Sequence, residues 1–280
     1  MSRSPAAAVN PVPARTIKVR RPDLGFDDLP RHFVAGDPVR SHIAAMLSAV
    51  FPEGEDFFVR SVRNYRSRVT DPELKKQVAG FIGQEALHGR EHRHFNDRLQ
   101  QLGYPTHFVD RQVKLGLAIL ARVAPKPVQL AVTAALEHYT ATLAELILRT
   151  DEVRDDFIDP EVRQLFTWHA LEESEHKSVA YDVYQQMSGN RLIRVGVMWA
   201  VHVGFLVAMT AAVLFSMAFD PVARRPRTLV KGLWGLRRHP FFSRSVVRRL
   251  QDYDRADFHP DDHDTSDLLD TWRAELAAIA

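Results

Sequence analysis

The stretches Glu85-Ala-Leu-His88 and Glu173-Ser-Glu-His176 repeat the pattern Glu-x-x-His inside sequence of helical period. On an α-helix, residues three positions apart lie on the same face, so each stretch presents a carboxylate and an imidazole together. One such motif alone is more typical of a solvated helix face. Two of them on helices that face each other would bind a pair of metal ions. The repeat therefore predicts a helical bundle built around a buried metal centre.

Two isolated glutamates complete the predicted set of ligands. Glu55 and Glu137 lie in apolar stretches of two further predicted helices, where an unpaired buried carboxylate would cost several kcal/mol or become protonated. A metal ion removes that cost. One glutamate from each of two helices, together with Glu-x-x-His from each of two others, is the ligand set of ferritin-like dinuclear four-helix bundles. The predicted ligands are Glu55, Glu85, His88, Glu137, Glu173 and His176.

Other polar residues near the motifs have several open roles. His92 and His169 share the helical faces of the two motifs, so each is an extra ligand, a hydrogen-bonding partner that orients a ligand, or an exposed surface residue. His138 faces about 100° away from Glu137 and is not predicted as a ligand. Three glutamates are predicted to point away from the ligand faces, either into solvent or toward the outer side of a ligand: Glu91, Glu172 and Glu175.

The donor set narrows the choice of metal. Carboxylates with two imidazoles and no thiolate favour iron or manganese, with zinc as a further candidate, and the expected cofactor is two metal ions, with iron preferred. Two bridged ions can bind and reduce O₂ if they are redox-active, or lower the pKa of a bridging water for hydrolysis. The ligands alone do not separate these two reactions. The chain contains no cysteine, which excludes disulfides, zinc–thiolate sites and thiol catalysis.

Local start and stop signals predict an all-α fold class. Asp71 and Asp159 are N-cap residues that precede a proline, which suits the first helical turn, and Gly103 is predicted to end the helix that Asp71 begins. Pro52 is likewise predicted to lie in a first turn. The predicted helices cover residues 38–50, 52–69, 71–102, 109–123, 128–150 and 159–187.

The chain divides into four predicted parts. Residues 1–24 are rich in Pro, Ala and Arg, lack the apolar core of a signal peptide, and are predicted to be a disordered arm. Residues 25–190 form the predicted metal-binding bundle, residues 191–222 a long apolar helix, and residues 223–280 a basic segment with an acidic tail that packs on the bundle. Because the arm carries no export signal, we expect a cytoplasmic protein.

The apolar run at residues 195–219 is long enough to span a bilayer at ~1.5 Å per residue. Residues 224–249 follow it with only basic charges, which by the positive-inside rule would remain in the cytoplasm. The sequence leaves three placements open for this run: it could span a membrane, lie on the inner face of the cytoplasmic membrane, or be buried in a homodimer. No nucleic-acid partner is expected, because the net charge is only +2 and the aspartate-rich tail would oppose a polyanion.

Five segments carry a further signal: Phe51-Pro-Glu-Gly-Glu-Asp-Phe-Phe58, Gly83-Gln-Glu-Ala-Leu-His-Gly-Arg-Glu-His92, Ala135-Leu-Glu-His-Tyr-Thr140, Trp168-His-Ala-Leu-Glu-Glu-Ser-Glu-His-Lys-Ser178 and Phe258-His-Pro-Asp-Asp-His-Asp264. From about Gly25 to the C-terminus, the chain resembles the family of predicted metal-dependent hydrolases, a ferritin-like group. Carried over position by position, the resemblance implies the same six metal ligands. It also implies hydrolysis, although the ferritin-like scaffold houses oxidases and oxygenases as well, because a fold does not fix the chemistry.

Together these observations predict a dinuclear metal-dependent enzyme in which a metal-activated water attacks a small apolar or lipid-like substrate. An O₂-activating di-iron oxidase or oxygenase on the same site is the first alternative. A non-catalytic metal-binding or storage bundle is the second, and the long apolar helix and basic segment are unsuited to the surface of a soluble cage.

Overall fold

The computed structural model of the protein describes residue 13 and residues 15–279. Within that part of the chain the secondary structure is helical, apart from one isolated antiparallel bridge between Val34 and Phe157, which confirms the predicted all-α class. The α-helices are α1 Pro38–Arg63, α2 Pro72–Gln101, α3 Thr106–Val123, α4 Lys126–Arg149, α5 Asp151–Asp155, α6 Pro160–His176, α7 Val179–Met187, α8 Arg191–Met217, α9 Pro226–Leu236, α10 Arg244–Asp252 and α11 Ser266–Ile279. Two short 3-10 helices cover Pro240–Phe242 and Pro260–Asp262.

Three of the long helices begin with an aspartate followed by a proline. The side chains of Asp37, Asp71 and Asp159 each accept a hydrogen bond from a backbone N–H of the first turn, which satisfies groups that have no partner within the helix. Gly103 follows α2 with a φ of +92°, a conformation that glycine adopts without strain. The start and stop signals predicted for α2 and the start predicted for α6 are confirmed.

Pro52 lies inside α1, so the prediction of separate helices over residues 38–50 and 52–69 is wrong. A proline normally interrupts a helix because it leaves the carbonyl four residues earlier without a donor. Here that carbonyl belongs to Ser48, and it accepts a hydrogen bond of 3.0 Å from Nδ2 of Asn96 on α2. A side chain from a neighbouring helix therefore replaces the missing bond, and α1 continues.

The single helix predicted over residues 159–187 is in fact two helices, α6 and α7, which are separated at Lys177 and Ser178. Nζ of Lys177 donates to the backbone carbonyl of His263 and, at 3.1 Å, to Oγ1 of Thr265. The C-terminal tail is thus attached to the bundle at the point where the helix is interrupted.

The N-terminal segment lies along α2, contrary to the disordered arm expected over residues 1–24. Residues 1–12 and 14 fall outside the described part of the chain. Ile17 and Val19 pack so closely on α2 that a Cβ atom at Gly80 or Gly83 would come within 2.7 Å of them. Two glycines one turn apart therefore provide the space in which the segment from residue 15 to residue 24 packs.

Four helices, α1, α2, α4 and α6, surround a buried polar centre that lies between two apolar clusters. One cluster includes Met46 of α1, Phe95 of α2 and Leu165 of α6. The other includes Phe57 of α1 and Phe81 of α2, together with residues of α4 and α7. Along α1 and α6 the chain passes from the first cluster to the second, and along α2 in the reverse direction, so α2 is antiparallel to α1 and α6.

The apolar helix α8 packs against α1 and α4, and buried polar residues hold both of its ends. Near its N-terminus, the fully buried Arg194 donates to the backbone carbonyls of Tyr253 and Arg255. At its C-terminus, Oγ of Ser216 lies 2.7 Å from Nδ1 of His42, whose Nε2 lies 3.2 Å from Asp220. This serine, histidine and aspartate are completely buried, so they anchor the helix and present no nucleophile to a substrate.

Candidate metal centre

The structure brings the six predicted ligands together in the interior, where each of them is buried. Helices α1 and α4 contribute one glutamate each, and α2 and α6 contribute one Glu-x-x-His pair each. Nε2 of His176 lies 3.1 Å from Glu85, 3.4 Å from Glu173 and 3.5 Å from Glu137. Nδ1 of His88 lies 3.5 Å from both Glu85 and Glu173. Side chains that are up to 121 positions apart in the sequence therefore meet at one point.

Three overlapping groups of residues in this centre could each hold a metal ion. In each group, one donor atom per residue lies within 4.8 Å of the donor atoms of the other two. The groups are Glu55 with His88 and His169, Glu85 with Glu137 and His176, and Glu85 with His88 and Glu173. Glu85 and His88 each belong to two of the groups, so the three groups form one connected cluster of donor atoms.

Nine donor atoms in the centre are buried without any hydrogen-bond partner. They are both carboxylate oxygens of Glu55, Glu85 and Glu137, Oε2 of Glu173, Nδ1 of His88 and Nε2 of His176. Buried polar atoms are almost always hydrogen-bonded, because an unpaired one loses its hydration without compensation. A cluster of orphaned oxygen and nitrogen donors with no thiolate is what one or more bound iron, manganese or zinc ions would satisfy, so the residues fit a metal centre.

The outer nitrogen of each histidine has a partner that holds its ring. Nε2 of His88 donates to Oε2 of Glu172 at 3.1 Å, and Nδ1 of His176 donates to Oε1 of Gln84 at 2.8 Å. In a neutral imidazole, a proton on the outer nitrogen leaves the lone pair on the inner one. Both rings therefore direct their lone pairs toward the carboxylates of the centre.

These two contacts are reciprocal between α2 and α6. Gln84 directly precedes Glu85 on α2 and holds the histidine of α6, whereas Glu172 directly precedes Glu173 on α6 and holds the histidine of α2. We did not assign Gln84 a role from the sequence. The sequence signal that could have identified Gln84 is its position directly before Glu85. Glu172 occupies the same position directly before Glu173 on α6.

The N-terminal segment closes the outer side of the centre. The guanidinium of Arg20 donates to Glu175 at 2.8 Å and to Glu172 at 3.3 Å, and Nε2 of Gln84 donates to Glu175 at 2.9 Å. These glutamates were predicted to point either into solvent or toward the outer side of a ligand. Glu172 and Glu175 are buried, so they lie on the outer side of the centre and not in solvent. Glu91, the third such glutamate, is also buried and pairs with Arg90.

His92 and His169 form a second line of contacts that leads away from the centre. Nε2 of His169 lies 3.1 Å from Glu173 and 3.7 Å from Glu55, while its Nδ1 lies 2.7 Å from Nε2 of His92. Nδ1 of His92 lies 2.8 Å from the hydroxyl of Ser48. Neither ring is exposed. His169 is thus close enough to be an additional donor, whereas His92 holds the ring of His169.

His138 lies outside the centre, as its position on α4 predicts. Its Nε2 donates at 2.9 Å to the backbone carbonyl of Arg249. Burial lowers the pKa of this imidazole to about 4, so it is neutral at physiological pH.

The electrostatics of the centre show how strongly it concentrates negative charge. Burial and the nearby carboxylate of Glu85 raise the pKa values of Glu55 and Glu137 well above their usual range. Burial would lower the pKa of His88, but the surrounding carboxylates outweigh it and hold that pKa well above its ordinary value; the same holds for His176. Without a cation the centre therefore retains protons, and a divalent ion would take their place.

The comparison with known families agrees with this geometry. The model of the family described as predicted metal-dependent hydrolase matches residues 18–264. Because that match covers most of the chain, the protein belongs to this family. Its description supports a metal-binding enzyme of the hydrolase type at a general level. No curated protein and no solved structure matches the chain.

Proposed function

We propose that this protein is a ferritin-like dinuclear enzyme that hydrolyses a small apolar substrate. The observation that carries the proposal is the group of nine orphaned donor atoms on four helices. The two outward-facing imidazole N–H groups, each held by a buried partner, support it because metal-binding histidines need an oriented lone pair.

The ligands divide between two ions. One ion would be held by Glu55 and His88, with His169 close by, and the other by Glu137 and His176, and Glu85 and Glu173 would supply further carboxylate ligands. We propose iron as the metal, with manganese or zinc as alternatives, because hard oxygen donors outnumber imidazoles.

When bound, a pair of divalent ions lowers the pKa of water toward neutrality and supplies a nucleophile for hydrolysis. Residues of the chain orient the side chains that would bind the ions. Glu172 and Gln84 hold the imidazole rings of His88 and His176, and the line from His169 to His92 holds a further nitrogen next to Glu55 and Glu173. We propose an apolar substrate because the exposed apolar residues of α8 suit contact with lipid-like molecules.

The test combines metal analysis with two activity assays on the full chain. Protein purified without added metal is analysed for metal content, then tested for hydrolysis of a panel of apolar esters and for an O₂-dependent absorption change after reduction. Two ions per chain with ester hydrolysis would support the proposal. Two iron ions with O₂-dependent absorption and no hydrolysis would replace it with an oxidase or oxygenase, and metal without any turnover would favour storage.

A matched pair of variants links any activity to the centre. Glu173→Gln should remove both metal and turnover, because Glu173 lies 3.5 Å from His88 and 3.4 Å from His176 and so contacts both histidines of the centre. Glu91→Gln changes a buried glutamate on α2 that pairs with Arg90, and it should retain both. Stoichiometric metal in Glu173→Gln would contradict the proposed ligand set.

A further inference from the structure

Helix α8 exposes apolar side chains along most of its outer side. Its length and composition would allow it to cross a membrane. Only 11% of its most apolar 18-residue stretch is buried inside the protein. Five large residues of this surface are between 54% and 68% exposed: Trp199, Val203, Leu206, Val207 and Leu214. Soluble proteins rarely expose a continuous apolar surface of this extent unless something covers it.

Helices α3 and α9 contact residues near the C-terminal end of α8, and both carry exposed apolar side chains. The rings of Phe108 on α3 and Phe215 on α8 lie 4.8 Å apart, and Phe219 lies 5.0 Å from Phe215. Helix α9 lies against the start of α1, where a Cβ atom at Gly232 would overlap Val39. Its outward residues are between 56% and 69% exposed: Val230, Leu233 and Trp234. We call the exposed residues of α8 and α9 the apolar face.

Positive charge surrounds α9. Residues 221–251 contain no aspartate or glutamate, and eight basic side chains in this range are exposed: Arg224, Arg225, Arg227, Lys231, Arg237, Arg238, Arg244 and Arg248. None of the eight forms an ion pair with another residue of the described chain. Arg237 and Arg238 instead lie over the ring of Trp234, each 5.4 Å from its centroid. Unpaired cations beside an exposed tryptophan are typical of surfaces that contact phospholipid headgroups.

We propose that the apolar face docks in the plane of an anionic phospholipid bilayer. Side chains of α8 and α9 enter the boundary of the acyl chains, while the arginines around Trp234 contact lipid phosphates. This mode of binding combines buried apolar area with attraction to negative lipid. It does not depend on the chemistry proposed for the metal centre.

The packing of α8 disfavours a spanning helix. Ile193 and Val197 near one end, and Val213 and Met217 near the other, pack against the bundle. A helix attached along its whole length could cross a bilayer only by taking α1 with it, including the exposed Arg60 and Arg63. Such charges are costly in hydrocarbon.

Charge also disfavours a second copy of this chain as the occupant. A two-fold interface brings the same surface of both copies together. The eight unpaired cations of one copy would then lie close to those of the other, whereas lipid phosphates would neutralise them.

The test is sedimentation of the full chain with vesicles of phosphatidylcholine, with or without phosphatidylglycerol, at low and high salt. We expect binding to vesicles that contain phosphatidylglycerol, weaker binding without it, and weaker binding at high salt. Leu206→Glu should weaken binding by at least about tenfold, because it places a charge at a position that the lipid would otherwise bury. Helical circular dichroism and metal content would show that this variant is folded.

A pair of charge variants distinguishes headgroup contact from general attraction. Arg237→Glu/Arg238→Glu should weaken binding by at least about 30-fold, since loss of the two cations alone costs about 1 kcal/mol each and the new carboxylates are repelled by lipid phosphates. Lys75→Glu/Lys76→Glu makes the same change in net charge on α2 and should bind as the original chain does. Equal loss in both pairs, unchanged binding of Leu206→Glu, no binding to any vesicle, or a dimer that Leu206→Glu dissociates would each overturn the proposal.

Discussion

The metal centre and the apolar face reverse the usual distribution of residues in a soluble protein. The centre places four carboxylates and two imidazoles in the interior, where they are buried. The apolar face places valine, leucine and tryptophan side chains of α8 and α9 on the outside. Both arrangements cost free energy in an isolated chain, since buried charge loses hydration and exposed apolar surface orders water.

The two regions differ in how the protein itself supports them. Around the centre, Gln84, Glu172 and Arg20 form hydrogen bonds that hold the two imidazole rings from the outer side, while the inner donor atoms have no partner. Around the apolar face, no residue of the described chain forms a comparable polar layer over α8; the ends of the helix are anchored and its outer side is exposed. Under the two proposals made above, a small cation would complete the first region, whereas a lipid surface would cover the second.

Of the changes considered, removal of metal should lower the free energy of unfolding the most. At a free metal concentration about 1,000-fold above Kd, bound metal should stabilise the fold by about 4 kcal/mol, so chelation should lower the midpoint of denaturant unfolding accordingly. The control is Glu85→Gln/Glu173→Gln, whose unfolding should not respond to metal. A chelator-insensitive original chain would mean that the orphaned atoms are not metal ligands.

Glu137→Gln should separate metal binding from stability. The variant should bind one ion fewer, because Glu137 contacts only the His176 side of the centre. Without metal its stability should stay close to that of the original chain, because burial raises the pKa of Glu137 well above its usual range and glutamine then replaces one uncharged polar group by another. Both quantities can be measured on the same samples by metal analysis and urea unfolding. Glu55→Gln should give the same result for the other ion.

Loss of an outer partner should have an intermediate effect. Glu172→Gln and Gln84→Ala should each weaken metal affinity by about 10–100-fold, because the imidazole ring loses its orientation. Competition with a chromophoric chelator measures this change. The effect of Gln84→Ala should fall on the ion that His176 binds, and an equal loss of both ions would show that the two sites are not independent.

The anchor at the C-terminal end of α8 should make stability depend on pH. Burial lowers the pKa of His42 below its usual value of 6.5, and the nearby His32 and Arg31 lower it further, although Asp220 beside it acts in the opposite direction. The unfolded chain then binds more protons at this residue than the folded one does, so the contribution of His42 to stability is lost as pH falls below about 6.5. The original chain should lose more unfolding free energy between pH 7 and pH 5 than His42→Gln, and parallel profiles would contradict this assignment.

Polar substitution on the apolar face should have the smallest effect on folding. Leu206→Gln should change the unfolding free energy by no more than about 0.5 kcal/mol, because the side chain is 68% exposed and such sites contribute little. Urea unfolding in the absence of lipid measures this value. A loss similar to that expected for a core leucine would show that the face is covered in solution.

Local patterns in the sequence were sufficient where the controlling interaction is also local. The caps at Asp71 and Asp159 were predicted because each acts within one helical turn. Pro52 was misassigned because the group that replaces its missing hydrogen bond, Asn96, lies 44 positions away. Residues 15–24 were expected to be disordered because their partners, Gly80 and Gly83, lie on α2.

The sequence by itself determined the helical class and predicted the six residues of the centre: four because Glu-x-x-His spacing places both side chains on one face through local geometry alone, and Glu55 and Glu137 because each lies in an apolar helical stretch. Only the tertiary structure decided which residue holds each imidazole, since Gln84 and Glu172 act across α2 and α6. It also decided that α8 lies along α1 and α4 with its apolar side outward. An apolar run of this length has the same sequence signature when it is buried, spanning or exposed, and only its packing against other helices distinguishes the three.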